Sequence, residues 1–404
     1  MHKEIEKLVR QKSCLGCGLC ILKESKQGMV MGENGFLRPS PNASIDANFE
    51  YYCPAVKVSQ NVKKQGLEYI YGPMVSPVIA GWSTNENLHF KASSGGVITQ
   101  LLVALLRYGM IDAVLHVKQD DEAPTRTIAC LSKTEEDIIK ATGSRYAPCS
   151  LFEHLSEILS SNNRIAVVGK PCDIAALKQY MKLYPNETEN IKYTFSMMCM
   201  GLPSHNATIE LVKKMNMEPA EVSDVRYRGY GWPGYATVTD KNGKVSKCTY
   251  IQSWGAVLGR QTLFRCKLCP NGFGEFADIT CGDAWHCNNE EPSFDCAENG
   301  RSFIFLRSEK GKYLVDRAVK EGLLEIEPYD LREMPLIQKS QYQRKVNLLG
   351  RYVIFKLFVN HSFSLKGFNL FKLAYISGAM NLCKDTRGFL GRYWRDYKGH
   401  KNEE

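Results

Sequence analysis

The sequence has no run approaching the ~20 consecutive apolar residues that a membrane-spanning helix needs. No opening stretch joins a basic start to an apolar run and a small-residue cleavage site. Internal repeats and low-complexity tracts are missing too. These absences predict a cytoplasmic globular protein, neither exported nor held by a span. Composition argues against disorder, because 404 residues that are 44% apolar suffice for about two or three domains with real cores. What the chain has in excess is cysteine. Fifteen cysteines are many for a reducing compartment, and an odd number cannot all pair. Metal ligation or redox chemistry is therefore the expected use.

Three of them stand in SCLGCGLC, where Cys14, Cys17 and Cys20 follow one another at two-residue gaps. Gly16 and Gly18 let the backbone curl so that three thiolates can face one centre. Bacterial ferredoxins use C-x2-C-x2-C-x3-C-P, whose fourth cysteine serves a second cluster. Here the next cysteine is Cys53, followed by Pro54, and it is expected to close the same [4Fe-4S] cluster. A zinc site and three unmetallated thiols are the other uses of such a run. The intervening GMVMGENGFLRPSPNA reads as turns around a short hairpin. Residues 1–72 are thus expected to form a small ferredoxin-like module built around its cluster.

A second group is dispersed: Cys172 in VVGKPCD, Cys199 in MMCMG, and Cys266 and Cys269 in RCKLCP. Residues 165–169 and 193–198 read as short buried strands, each ending near its cysteine. Two neighbouring parallel strand ends plus one C-x2-C pair can supply the four thiolates of a second [4Fe-4S] cluster. A zinc ribbon on Cys266, Cys269, Cys281 and Cys287 is the competing grouping. Cys130, Cys149, Cys248, Cys296 and Cys383 read as structural small hydrophobes.

KASSGGVITQLLVALLRYGMIDAVLHV opens a helix on Ser94, Gly95 and Gly96. Free N–H groups and the positive dipole end of that helix suit a cofactor phosphate. An N-cap with a close packing contact is the plainer alternative. TGSRYAPCS supplies a second loop, Gly143, Ser144, Arg145 and Tyr146, with a cation for phosphate and a ring for a flat heterocycle. Its plainer alternative is a polar loop before the next helix.

In order along the chain, SSGGVITQLL, TGSRYAP, VVGKPCDIAALK, MCMGLPS, RYRGYGWPG and CKLCPNGFGEFADITCGDAW resemble the coenzyme F420 hydrogenase/dehydrogenase beta-subunit family over about residues 4–327. The N-terminal cluster module makes the likeness closest to the longer, reductase-type members. The resemblance implies FAD, held partly by Ser94, Gly95, Gly96, Gly143, Ser144, Arg145 and Tyr146. It also implies a [4Fe-4S] cluster on Cys172, Cys199, Cys266 and Cys269. Cys281 stands where the family pattern does not require cysteine.

The expected architecture is α/β. A mixed-sheet flavin domain over residues 73–336 follows the N-terminal module, and a basic helical tail over 337–404 ends the chain. Helices are expected near 138–141, 151–159, 175–183, 206–215 and 311–321, and strands near 113–117, 165–169 and 303–307. Residues 226–251 read as a hairpin turning at Asn242-Gly243, with aromatics that fill a core or lie against the flavin. Two [4Fe-4S] clusters beside FAD imply an oxidoreductase that converts two-electron into one-electron transfer. A self-contained reductase would take electrons from a ferredoxin-like donor and reduce a small organic substrate. Alternatively, the chain is an electron-transfer subunit of a larger complex using the deazaflavin coenzyme F420. A zinc-bearing interaction protein is the third reading. No catalytic acid or base is assigned, since His205 and His286 both read as structural. The tail's charge comes without a nucleic-acid recognition motif, and its interleaved apolar and basic residues suit packing on the body, an acidic partner or the inner membrane face.

Overall fold

The structure, a computed structural model, describes residues 2–22, 28–285, 287–288, 291–292 and 300–398. Its centre is an eight-stranded mixed sheet. Across the sheet the strands run Leu324–Pro328, Ile79–Ser83, Ser302–Leu306, Ile279–Asp283, Ile191–Met197, Ile165–Gly169, Ala113–Gln119 and Thr127–Ser132. The middle strands 279–283, 191–197, 165–169 and 113–119 are parallel, and the outer pairings are antiparallel. Apolar runs such as IAVVG and SFIFL are buried along their whole length, as a sheet covered on both faces requires. The helices Val97–Arg107 and Glu309–Lys320 pack on one face, and Pro171–Leu183 on the other. Ligands of such sheets gather at the carboxyl ends of the parallel strands, and here those ends carry the cysteines.

The N-terminal residues share a core with the sheet. Ile5, Leu8, Leu19, Phe49 and Tyr52 pack with Phe152, Leu155, Ile165, Val167 and Tyr180. The helix expected over 151–159 runs only over Leu155–Leu159. Its forerunners are held by the cysteine loop instead, Ser150 Oγ donating to Gly16 O at 3.0 Å and Phe152 N–H to Cys17 O at 2.9 Å. The hairpin turning at Asn242-Gly243 joins strands Ala236–Asp240 and Val245–Cys248.

The C-terminal segment forms helices Lys339–Val346, Leu348–Phe358, Leu370–Ser377 and Ala379–Arg392. Strand Ser364–Lys366 pairs in parallel with Lys57–Ser59. Phe355, Phe363 and Phe389 enter one core with Tyr71, Phe264, Leu268 and Phe305. No described helix is long and apolar enough to cross a membrane.

Candidate redox centres

Cys14, Cys17, Cys20 and Cys53 line one cavity of about 20 Å³, together with Leu8, Leu15, Pro39, Tyr52 and Pro54. The loop closes because Gly16 and Gly18 adopt φ of +67° and +81°. A Cβ there would lie 2.8 Å from Leu37 O or 2.9 Å from the Glu153 nitrogen, so both positions need glycine. Cys53 caps the short helix Phe49–Tyr52. Burial pushes the Cys17 and Cys20 thiols well up and Cys53 up to about 12, and the neighbouring thiols add to it. A cationic centre bound there would draw thiolates from these groups near neutral pH.

The second group converges by topology. Strands 165–169 and 191–197 are parallel neighbours with Gly169 opposite Ser196, so Cys172 and Cys199 leave the sheet side by side. Cys266 lies in the turn Phe264–Leu268, and Cys269 caps it. All four line a cavity of about 30 Å³ with Leu15, Pro54, Arg265 and Arg344. Leu202 N–H donates to Cys266 Sγ at 3.4 Å. Arg344 donates to Met200 O at 2.7 Å, Cys266 O at 3.0 Å and Cys199 O at 2.8 Å, stiffening the ligand loops. Burial pushes Cys199 up to about 12 and Cys172 well above the usual thiol range.

Cys281 stands apart, buried on strand 279–283 and absent from this cavity. Cys296, His286 and the Cys287 side chain lie outside the described residues. Among the described residues, no three His, Cys, Asp or Glu side chains are grouped to hold a single metal ion. Each quartet lines its own cavity.

A third cavity, about 330 Å³, opens at the carboxyl ends of the parallel strands, against Gly169, Met197, Cys199 and Gly282. Ser94, Gly96, Gly143, Ser144, Arg145 and Tyr146 line it, and the two loops are joined by Ser144 N–H donating to Ser93 Oγ at 2.7 Å. Helix 97–107 starts there at Gly96, φ +73°, with no side-chain cap, leaving its first N–H groups for a ligand. Gly95 faces the sheet instead. Its N–H donates to Ser302 Oγ at 3.0 Å, and a Cβ would strike Gly81 O.

Arg145 spends its donors on Thr127 Oγ1 at 3.2 Å, Val225 O at 2.6 Å and Arg126 O at 3.0 Å, clamping the loop. The free donor comes from Arg228, to which the sequence analysis gave no role. It is 2% exposed, pairs with Asp283 at 2.7 Å, lines the cavity, and leaves Nη2 without a partner. Of the hairpin-region aromatics, Tyr250 lines the cavity, as does Trp254 just beyond the hairpin, while Trp232 stacks on Trp285 at 4.6 Å. His205 Nε2 meets Thr125 Oγ1 at 3.2 Å at the start of helix His205–Lys214.

Comparison with known proteins matches residues 78–156 to "Coenzyme F420 hydrogenase/dehydrogenase, beta subunit N-term" and residues 162–332 to the C-terminal part of the same subunit. The chain belongs to this beta-subunit family. Among curated relatives of this F420 hydrogenase/dehydrogenase beta-subunit family member, the F420-dependent formate dehydrogenase subunit beta of Methanocaldococcus jannaschii is 26% identical over 60% of each chain. The match therefore spans about three fifths of that relative's length. The coenzyme F420 hydrogenase subunit beta of Methanococcus voltae is 23% identical over 66% of this chain and 90% of its own. In the F420-reducing [NiFe] hydrogenase complex from Methanosarcina barkeri, one chain shares the fold with a TM-score of 0.53. It is 23% identical, with 70% of this chain and 94% of that one covered. The second cysteine quartet and both cavity loops lie inside the family matches. Cys14, Cys17, Cys20 and Cys53 lie before them, and the C-terminal helices after them.

Proposed function

We propose that this beta-subunit family member is the electron-transfer subunit of an oxidoreductase complex that uses the deazaflavin coenzyme F420. It would carry one [4Fe-4S] cluster on Cys14, Cys17, Cys20 and Cys53, a second on Cys172, Cys199, Cys266 and Cys269, and FAD in the large cavity. The relatives' names favour this reading over a self-contained reductase with a ferredoxin-like donor and a small organic substrate.

The observation that carries it is contiguity. Leu15 and Pro54 wall both cysteine cavities, and Lys170, Cys199, Gly201 and Leu202 wall both the second of these and the large cavity. Three candidate centres thus stand in series, each sharing residues with the next. Bound there, a flavin would exchange a hydride with the deazaflavin while clusters carry single electrons. The protein's part is to hold the thiols around each void, to exclude water with Leu15, Val58, Ala175 and Leu202, and to offer the 97–107 helix terminus and Arg228 to an anionic cofactor. Exposed Phe371, Tyr375 and Met380, each more than 80% accessible, supply a surface for a companion subunit. Contact with a membrane's inner face is the competing use of that surface.

Anaerobically purified protein is expected to hold about eight iron, eight acid-labile sulfides and one FAD per chain, and reduced F420 should bleach the flavin. About four iron with stoichiometric zinc would sink the two-cluster assignment. Reduction by a ferredoxin but not by reduced F420 would restore the self-contained reductase.

A further inference from the structure

The two cysteine quartets meet at one cation. Arg265 is 3% exposed and lies over the Phe363 ring at 4.2 Å. Its fork divides between the two sites. Nη1 donates to Leu268 O at 3.1 Å, the residue before Cys269, and Nη2 donates to Pro54 O at 3.2 Å, the residue after Cys53. Electrostatically it feels Cys266, Cys269 and Cys172 on one side and Cys53 on the other. No carboxylate among the described residues pairs with it, and Nε has no partner. A buried guanidinium without a counter-charge is costly, and thiolate-ligated centres in the two quartets would supply one.

Two further buried arginines serve one quartet each. Arg38 donates to Cys14 O at 3.4 Å beside the first quartet, and Arg344 holds Cys199 and Cys266 beside the second.

Resting on the two-cluster reading above, we infer that Arg265 is a positioning residue that serves both clusters as a shared counter-cation and raises their reduction potentials together. Net charge and hydrogen bonding around a cluster set its potential. Taking away a buried positive charge makes each added electron less favourable. A lysine keeps a positive charge at this position, whereas glutamine and methionine remove it.

The test is an EPR-monitored redox titration of the full chain, with C17S used to assign the two signals. R265Q is expected to lower both midpoint potentials, whereas R38Q lowers only that of the first cluster and R344Q only that of the second. R265K, which keeps the charge, is expected to hold both potentials closer to the wild-type values than R265Q does, and R265M is the second neutral variant, expected to lower both, if R265Q loses its clusters. A wild-type protein without two four-iron clusters overturns both the functional reading and this inference. Two intact clusters whose potentials ignore R265Q, or of which only one responds, overturn the inference alone. So does an R265K protein whose two potentials fall as far as those of the neutral variant.

Discussion

Glu275→Gln tests how the three parts of the chain are tied together. The Glu275 carboxylate has no exposed surface. It accepts from Lys64 Nζ and Gln60 Nε2, both at 2.9 Å, and pairs with Lys345. One buried anion therefore joins the N-terminal segment, the loop after Cys269 and the C-terminal helix 339–346. Burial alone would raise this carboxyl, but Lys345 and Lys64 outweigh it and hold it at about 2. Glutamine keeps the volume and leaves two buried ammonium groups without a counter-charge. Removing one partner of a buried pair costs about 3–5 kcal/mol, a large share of a typical total of ~5–15 kcal/mol. With a urea slope of about 1–3 kcal/mol per molar, the unfolding midpoint should fall by roughly 1–5 M, read by far-UV circular dichroism at neutral pH. The folded pKa lies below the unfolded one, so the carboxylate stabilises in full above the unfolded value of 4.5 and is lost as pH falls toward about 2. The gap between wild type and variant should narrow over that window. Midpoints within about 0.2 M of each other at neutral pH would refute the reasoning.

Cys17→Ser is expected to remove one four-iron signal and Cys172→Ser the other, as counted by Mössbauer spectroscopy; loss of the same signal in both would collapse the two-site assignment. Arg228→Met should weaken FAD retention on gel filtration, because it deletes a charge-assisted donor of about 1.5–3 kcal/mol. Full flavin occupancy in that variant would confine Arg228 to its pairing with Asp283. A chain ending at Ile337 loses Arg344 from the carbonyls of Cys199 and Cys266 and strips Phe355 and Phe363 from the core. It should be insoluble or lack the second cluster, and a soluble two-cluster product would show the segment to be an addition. Flotation of the full chain with anionic vesicles should fail if Phe371, Tyr375 and Met380 serve a protein partner.

The cysteine run at 14–20 was legible because its geometry is local: two-residue gaps and two glycines with positive φ bring three thiols together whatever the rest of the chain does. The strands at 113–119, 165–169 and 302–306 were legible for a similar reason, since a short apolar run between turn signals has few other places to go. The meeting of Cys172 and Cys199 followed from reading both as strand ends, but only the parallel adjacency of 165–169 and 191–197 makes them neighbours. Gly95 and Gly96 look alike in sequence, and tertiary contact separates them, one against the sheet and the other at the cavity. Arg145 clamps its own loop, and Arg228, given no role from the sequence, keeps a free donor at the cavity, because a guanidinium's use depends on the acceptors around it, and those come from residues as distant as Val225 and Asp283. The basic tail shows the same limit. Composition counts Arg344, Lys345 and Arg351 as surface charge, whereas the fold turns all three inward, where backbone carbonyls, Glu275 and Asp385 receive them. Charge is a property of the sequence, but its direction is decided by packing.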